Sequence, residues 1–172
     1  MLKLASTRLW TTLVTWPDRR AWIQCAWVSV ATLLTMVAIG WCTGLYRPGP
    51  GDLTALPLTA IGVFFVPALS EELVFRGLLA PSRRVGRSPW PAIGLSTLIY
   101  VAWHPLEGLT FLPGASSLFT RPDFLAVTTL LGLACAEMRW RTGSLWPAVL
   151  LHWVLVVIWK TWLGGPSLES LS

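Results

Sequence analysis

Long apolar runs, separated by short basic or Gly- and Pro-rich stretches, set the pattern of this chain. The clearest run, 21–46, carries no charged side chain and lies between Arg20 and Arg47. A helix needs about 20 apolar residues to cross a bilayer, and this run is too long for the apolar core of a cleaved signal peptide. It therefore predicts a retained first transmembrane helix.

A second apolar run, 53–80, is interrupted by Pro57 and Pro67. Proline removes a backbone donor and kinks a helix, but neighbouring groups in a membrane bundle can satisfy the carbonyls that it frees. We expect one interrupted spanning helix here. A third helix is predicted to begin near Pro89 or Pro91 and to run to His104, where Pro105 should end or bend it.

A loop rich in Gly, Pro and Ser is predicted over 105–122, followed by a fourth helix over 123–138 and a fifth over 145–163. Residues 1–20 mix Leu and Trp with basic side chains, which suits an amphipathic helix on the membrane surface or a disordered tail. The predicted fold is therefore all-α, a polytopic transmembrane helix bundle of about five spans with an N-terminal interfacial segment.

Composition supports the membrane setting. Apolar residues make up 54% of the chain and charged residues 12%, and the mean hydropathy is +0.62. Soluble proteins average about 45 to 50% apolar and about 25% charged residues. The composition thus indicates an integral, multi-pass membrane protein.

The Lys and Arg residues divide unequally between the two ends of the predicted helices. One side receives Lys3, Arg8, Arg19, Arg20, Arg83, Arg84, Arg87, Arg139 and Arg141, and the other receives Arg47, Arg121 and Lys160. Cytoplasmic loops carry the excess of basic residues, so the N-terminus is predicted inside and the C-terminus outside. The net charge of +5 then reflects topology and contact with membrane lipids. Nucleic-acid binding, which needs a clustered basic face, is not expected.

Glu71, Glu72 and Arg76 lie inside the second apolar run. An ionisable group near the bilayer centre costs at least about 2.5 to 3.5 kcal/mol and is usually retained where it lines a cavity or a reaction path. Residues four apart share a helix face, so Arg76 can neutralise Glu72, while Glu71 points about 100° away. One acid is then paired and the other is free for chemistry. Two alternatives are an ion-pair network that locks the helices together and a proton path in a transporter.

His104 and His152 are the two histidines of the chain, and both fall in predicted spans. At about 1.5 Å per residue from the predicted inner helix ends, Glu72 lies about 13 Å deep, His104 about 20 Å and His152 about 11 Å. The acids and histidines are therefore expected to converge in the inner half of the membrane. Either histidine alone could simply hydrogen-bond a neighbouring helix.

These residues resemble the CPBP family of intramembrane proteases, the CAAX protease and bacteriocin-processing (Abi) family. Its Glu-Glu-x-x-x-Arg motif is matched by Glu71, Glu72 and Arg76, and its aromatic-x-x-x-His motif by Tyr100 and His104. A late-helix histidine after a Gly-Ser-Leu-Trp-like stretch is matched by His152. With this resemblance the chain divides into four parts. Residues 1–20 form an N-terminal cytoplasmic or interfacial segment, 21–56 a first transmembrane helix with its loop, 57–163 a catalytic membrane core and 164–172 a short tail.

The chain departs from the family where His-x-x-x-Asn or His-x-x-x-Asp is usual, because Val156 stands four residues after His152. An oxyanion would need another donor, such as a backbone amide, His152, Trp153 or Tyr100, and losing one donor typically costs about 10² to 10³ in rate. A catalytically impaired relative that acts as a membrane binding or immunity protein is the alternative function.

The resemblance implies an intramembrane endopeptidase in which Glu71 or Glu72 activates water and His104 and His152 position it or stabilise the oxyanion. Arg76 would hold the second acid. No cofactor is favoured, since the chain lacks a His-Glu-x-x-His helix. If the enzyme used zinc, both acids and both histidines would be the ligands. The expected substrate is a lipidated or membrane-anchored protein or peptide cut near its C-terminus or membrane segment, and the expected location is a bacterial inner membrane.

Overall fold

The computed structural model describes residues 2–80 and 88–166, and every regular element in these two ranges is helical. The helices are α1 Leu2–Val14, α2 Arg19–Thr43, α3 Leu56–Leu79, α4 Trp90–Thr110, α5 Ser116–Phe119, α6 Pro122–Thr142 and α7 Trp146–Trp162, with a 3₁₀ turn at Pro113–Ala115. The all-α prediction is thus confirmed for the described part of the chain. Arg83, Arg84 and Arg87 of the charge partition, and residues 167–172 of the predicted tail, lie outside it.

Two helices of the described ranges, α2 and α3, are long and apolar enough to cross a membrane. A third span is added if Pro113–Phe119 and Pro122–Thr142, which meet at 85°, cross as one bent unit. Helix α7 is apolar but has 17 residues. The count of five spans and the orientation of the termini stay predictions.

Helix α2 begins and ends on clear local signals. Asp18 caps its first turn by accepting a hydrogen bond from the Ala21 amide at 2.7 Å, and Gly44 ends it at φ 68°. A left-handed glycine after the last turn is the commonest way to end a helix. Helix α2 then packs along α6, so the first predicted span forms part of the bundle wall.

The predicted N-terminal segment is helical and is held against the ends of α3 and α7. The Trp146 indole donates to the Leu13 carbonyl at 2.8 Å, and the Leu145 amide donates to the Thr12 carbonyl at 3.1 Å. Arg8 donates to the carbonyl of Ala80. These bonds fix α1 across the end of the bundle nearest the two glutamates.

Helix α3 is broken at Val66, whose φ and ψ of −137° and 114° are extended. Wide π-helical turns at Phe64–Leu69 and Leu73–Leu79 flank the short α-helical turn Ser70–Glu72. Pro67 lies at the break, whereas Pro57 lies harmlessly in the first turn of the helix. Such π-helical turns are frequent at functional sites, and here they flank the two glutamates.

Side chains from other helices donate additional hydrogen bonds to carbonyls of the broken helix. The Trp153 indole of α7 donates to the Ala60 carbonyl at 2.7 Å, and the Ser96 hydroxyl of α4 donates to the Phe75 carbonyl at 2.7 Å. Both carbonyls also accept a backbone amide, from Phe64 and from Ala80. The two side-chain bonds add to these and tie α3 to α4 and α7 on either side of the glutamates.

The predicted end of the third helix is wrong. Helix α4 continues through Pro105 to Thr110, because a proline removes one amide donor while its fixed φ still fits a helix. The expected loop 105–122 is consequently shortened and contains α5. The fourth helix also extends beyond its predicted end, to Thr142, and Gly143 at φ 70° follows it. The fifth is confirmed within one residue at each end.

Candidate active site

Arg76 and Glu72 form a fully buried ion pair on α3. Nη1 of Arg76 lies 3.0 Å from Oε1 of Glu72, and Nη2 donates to the carbonyl of Gly132 on α6 at 3.2 Å. The guanidinium also lies 4.1 Å from the centre of the Tyr100 ring. A planar guanidinium suits this combination of carboxylate, carbonyl and aromatic face, so Arg76 fixes Glu72 between α4 and α6.

His152 on α7 lies between the two glutamates. Its Nδ1 lies 2.9 Å from Oε1 of Glu72 and its Nε2 lies 3.9 Å from Oε2 of Glu71. A carboxylate oxygen paired with arginine accepts hydrogen bonds, so Nδ1 carries the proton that it donates to Glu72. Nε2 therefore points at Glu71, and Glu72 orients the imidazole as the third group of a catalytic triad does.

Glu71 differs from Glu72 in what it faces. Glu71 lines a cavity of about 240 Å³ inside the bundle, whereas Glu72 does not reach the cavity and is fully buried. Oε2 of Glu71 has no hydrogen-bond partner within the described residues. The structure thus divides the two acids into one held by Arg76 and His152 and one that faces the cavity.

His104 on α4 lines the same cavity. Its Nδ1 lies 3.0 Å from the carbonyl oxygen of Tyr100, and its ring packs edge-on against Tyr100. Because a carbonyl can only accept, Nδ1 carries the proton and the neutral ring presents Nε2 as an acceptor. In both histidines, therefore, Nδ1 makes a hydrogen bond that fixes the orientation of the ring, and Nε2 is the other ring nitrogen.

The cavity wall is largely apolar and contains two charged residues that the sequence analysis did not single out, Glu107 and Lys160. The wall comprises Met36, Leu45, Tyr46, Val66, Pro67, Glu71, Tyr100, His104, Glu107, Leu112, Phe119, Phe124, Val127, Thr128, Leu131, His152, Leu155, Val156, Trp159, Lys160 and Pro166. Glu107 was missed because Pro105 was expected to end the helix. Its spacing of three from His104, read as continuous helix, would have placed both on one face.

A second cavity lies between α3 and α4 and shares Val66, Glu71 and Glu107 with the first. Val74 and Trp103 complete much of its wall. Glu71 therefore faces two spaces, one inside the bundle and one beside the break in α3.

The proposed oxyanion donors fall in different places. Tyr100 is buried and lines the cavity. Trp153 does not line it, and its indole N–H is already donated to Ala60. Val156 lies on the cavity wall one helical turn after His152, so the position of the family's Asn or Asp offers no hydrogen-bond donor here.

A zinc site would need three or four of the acidic and histidine side chains to converge. Within the ranges that the structure describes, no group of three or more His, Cys, Asp or Glu residues has a metal-binding arrangement. The acids and histidines of these ranges are therefore not arranged as a set of metal ligands.

Comparison with known proteins gives one result. A protein-family model described as Rce1-like, type II CAAX prenyl endopeptidase, matches residues 53–158. This range includes both glutamates, Arg76 and both histidines. Neither the curated proteins nor the solved structures contain a match to this chain.

Proposed function

This chain belongs to the Rce1-like family of type II CAAX prenyl endopeptidases, and from that membership we propose that it hydrolyses a peptide bond in a lipidated or membrane-anchored substrate. The family indicates a protease and a membrane environment. The cut lies near the C-terminus or in a membrane segment of the substrate, and water activated by a glutamate is the nucleophile.

The observation that carries this proposal is the 3.9 Å separation of Glu71 Oε2 and His152 Nε2 beside the cavity. Two acceptors at this distance can hold one water molecule that donates a proton to each, with a lone pair directed at the substrate. Glu71 is therefore the proposed general base, and Glu72 with Arg76 positions His152.

The reaction balances with this set of groups. The water oxygen attacks the scissile carbonyl carbon while Glu71 takes one proton, and a tetrahedral intermediate forms. When the C–N bond breaks, the protonated Glu71 returns that proton to the leaving amine. The products are a carboxylic acid and an amine, which become a carboxylate and an ammonium by exchanging a proton through solvent, and no other reactant is consumed.

His104 and Tyr100 are proposed to act on the substrate. The acceptor Nε2 of neutral His104 suits a substrate N–H or the attacking water better than an oxyanion, since an oxyanion needs donors. The Tyr100 hydroxyl is the proposed oxyanion donor, because Tyr100 lines the cavity and Val156 supplies none. Trp153 is not part of the proposed site.

We further propose that the enzyme needs no metal ion and works in a bacterial inner membrane, with the N-terminus in the cytoplasm and the C-terminus outside. The apolar cavity wall supports a substrate tail with apolar side chains, since ligand pockets match the polarity of what they bind.

The test is cleavage of a panel of membrane-anchored C-terminal tails by purified protein in liposomes. Wild type is compared with Glu71→Gln, Glu72→Gln, His104→Ala and His152→Ala, and products are identified by mass spectrometry. Cleavage that persists in all four variants would refute the assignment of the site.

The alternative function is that of a catalytically impaired relative that binds a membrane peptide or confers immunity. Val156, where the family has Asn or Asp, is the observation that favours it. Binding of a tail without cleavage, together with full function of Glu71→Gln in cells, would support this alternative against the enzyme.

A further inference from the structure

The second cavity is a groove on the outer face of the bundle, with a volume of about 400 Å³. One stripe of side chains from each of α3 and α4 forms most of its walls, because residues four apart share a helix face. The stripes are Val66, Ser70 and Val74 on α3 and Ile99, Trp103 and Glu107 on α4. All six are exposed or half-buried, so the groove opens outward.

The hydroxyl and carboxyl groups of the groove belong to Ser70, Glu71 and Glu107. Glu71 and Glu107 are close enough to interact electrostatically, and Glu107 forms no ion pair within the described ranges. An acid in an intramembrane segment is expensive and usually belongs to a functional path, such as a proton relay. Glu107 therefore calls for a role beyond helix packing.

Glu71 and Glu107 are also the acids that line both cavities. With Val66 they form the boundary between the inner cavity and the groove. Both histidines and Lys160 line the inner cavity but not the groove. Among the described lining residues, these two carboxyl groups are therefore the ones on which a proton can pass between the two spaces.

The proposed hydrolysis leaves a proton to be removed from the inner cavity. The new carboxylic acid forms beside Glu71, in a largely apolar space, and becomes a carboxylate only when it loses its proton. If Glu71 takes that proton, the base is neutral and cannot activate the next water molecule. Each turnover therefore needs an acceptor that returns Glu71 to its carboxylate form.

We propose that Glu107 is a proton-transfer residue that takes this proton from Glu71 and delivers it to water in the groove. The inference rests on the proposed endopeptidase function and adds the step that resets the base. The product acid first protonates the Glu71 carboxylate. Glu71 then protonates the Glu107 carboxylate through bridging water, for which Ser70 and the two carboxyl groups provide the polar partners. Glu107 finally protonates groove water to hydronium, so both carboxylates are regained and only O–H bonds change.

The test compares single-turnover and steady-state cleavage of a membrane-anchored tail in liposomes by wild type and Glu107→Gln. Glutamine keeps the size of the side chain but cannot carry the proton. The first turnover should be close to wild type, because Glu71 starts as a carboxylate. The steady-state kcat should fall by about 100-fold, the low end of what a positioned proton-transfer group contributes. A change in packing would instead slow both measurements.

Added formate provides a second measurement. In Glu107→Ala the outward-opening groove should admit formate in place of the missing carboxylate, so kcat should rise with formate concentration and then saturate. Chloride at the same ionic strength should have no effect. Ile99→Ala removes a groove side chain but no acid, and it should show neither the kinetic difference nor a response to formate. Glu137→Ala, which removes a partly exposed acid outside both cavities, should behave as wild type.

The outcomes separate this inference from the proposed function. If wild type cleaves and Glu107→Gln loses nothing, or loses equally in both measurements, proton transfer by Glu107 is refuted and the peptidase stands. A loss in Glu107→Ala that formate does not reverse has the same meaning. Absence of cleavage by wild type refutes the peptidase, and the role of Glu107 with it.

Discussion

Nδ1 of His152 lies 2.9 Å from Oε1 of Glu72, the same oxygen that Arg76 contacts. One carboxylate atom therefore joins α3 and α7 and sets the direction of the imidazole. Because Glu72 is committed to two partners, Glu71 is the acid left to face the cavity.

Replacing each glutamate by glutamine should separate chemistry from stability. Glu71→Gln should lower kcat by about 10² to 10⁴, the usual contribution of a general base, with little change in thermal unfolding. Glu72→Gln should lower the free energy of unfolding by about 3 to 5 kcal/mol, because it leaves a buried guanidinium without its carboxylate. Thermal shift in detergent and cleavage in liposomes measure the two effects.

Glu137→Gln is the matched control for this pair. Glu137 and Arg141 are also four apart on one helix and lie 2.5 Å apart, but both are partly exposed. Exposed pairs contribute about 0 to 1 kcal/mol, so this variant should be close to wild type. If Glu137→Gln lowered the free energy of unfolding as much as Glu72→Gln does, burial of the Glu72–Arg76 pair would not explain the destabilisation.

Gly132→Ala should disturb the site from α6. A Cβ at this position would lie 2.9 Å from Thr97 Cγ2 and 3.3 Å from Arg76 Nη2. The overpacking should cost about 1 to 3 kcal/mol and reduce kcat, because Arg76 and therefore Glu72 must shift. Gly94→Ala on α4, where a Cβ meets nothing within 4 Å, is the control; equal behaviour of the two variants would argue against tight packing around Arg76.

Val156→Asn should raise activity. The side chain lies on the cavity wall one turn after His152, so an amide there adds the donor that the family's motif normally supplies. One oxyanion donor is worth about 10² to 10³ in rate, and single-turnover cleavage would detect even a tenth of that. Val157→Asn, one position along and off the cavity wall, should give no increase; an unchanged rate in both variants would mean that position 156 does not face the oxyanion.

Chelation should leave cleavage intact. Within the described residues no three His, Cys, Asp or Glu side chains are arranged as metal ligands, so treatment with a strong zinc chelator followed by dialysis should not change kcat. Elemental analysis of the purified protein provides a second readout. Activity that disappears on chelation and returns with zinc alone would establish a metalloenzyme and overturn the proposed mechanism.

The sequence predicted which side chains lie close together better than it predicted the path of the chain. Spacing of four was enough to place Arg76 beside Glu72, and depth along the helices was enough to group the acids with both histidines. It could not reveal that Glu72 also holds His152, because that contact joins residues far apart in the chain. Nor could it locate the break of α3 at Val66, since a proline pattern alone does not say which proline interrupts a helix.

The residues missed by sequence reasoning have a common cause. Glu107 was assigned to a loop, and Lys160 was counted only as a topological charge. Each becomes informative once α4 and α7 are known to enclose one cavity. A charge at a helix end and a charge at a pocket wall look alike in sequence, and only packing distinguishes them.

The different surroundings of Glu71 and Glu72 have an evolutionary consequence. Selection for a folded protein protects Glu72 and Arg76, because loss of either one leaves the other as an unpaired buried charge. Loss of Glu71 leaves no buried arginine unpaired. Descendants that gave up hydrolysis should therefore drift first at position 71 while keeping the rest of the motif. A family member with an intact ion pair and no acid at that position would be a folded, inactive descendant rather than a failed sequence.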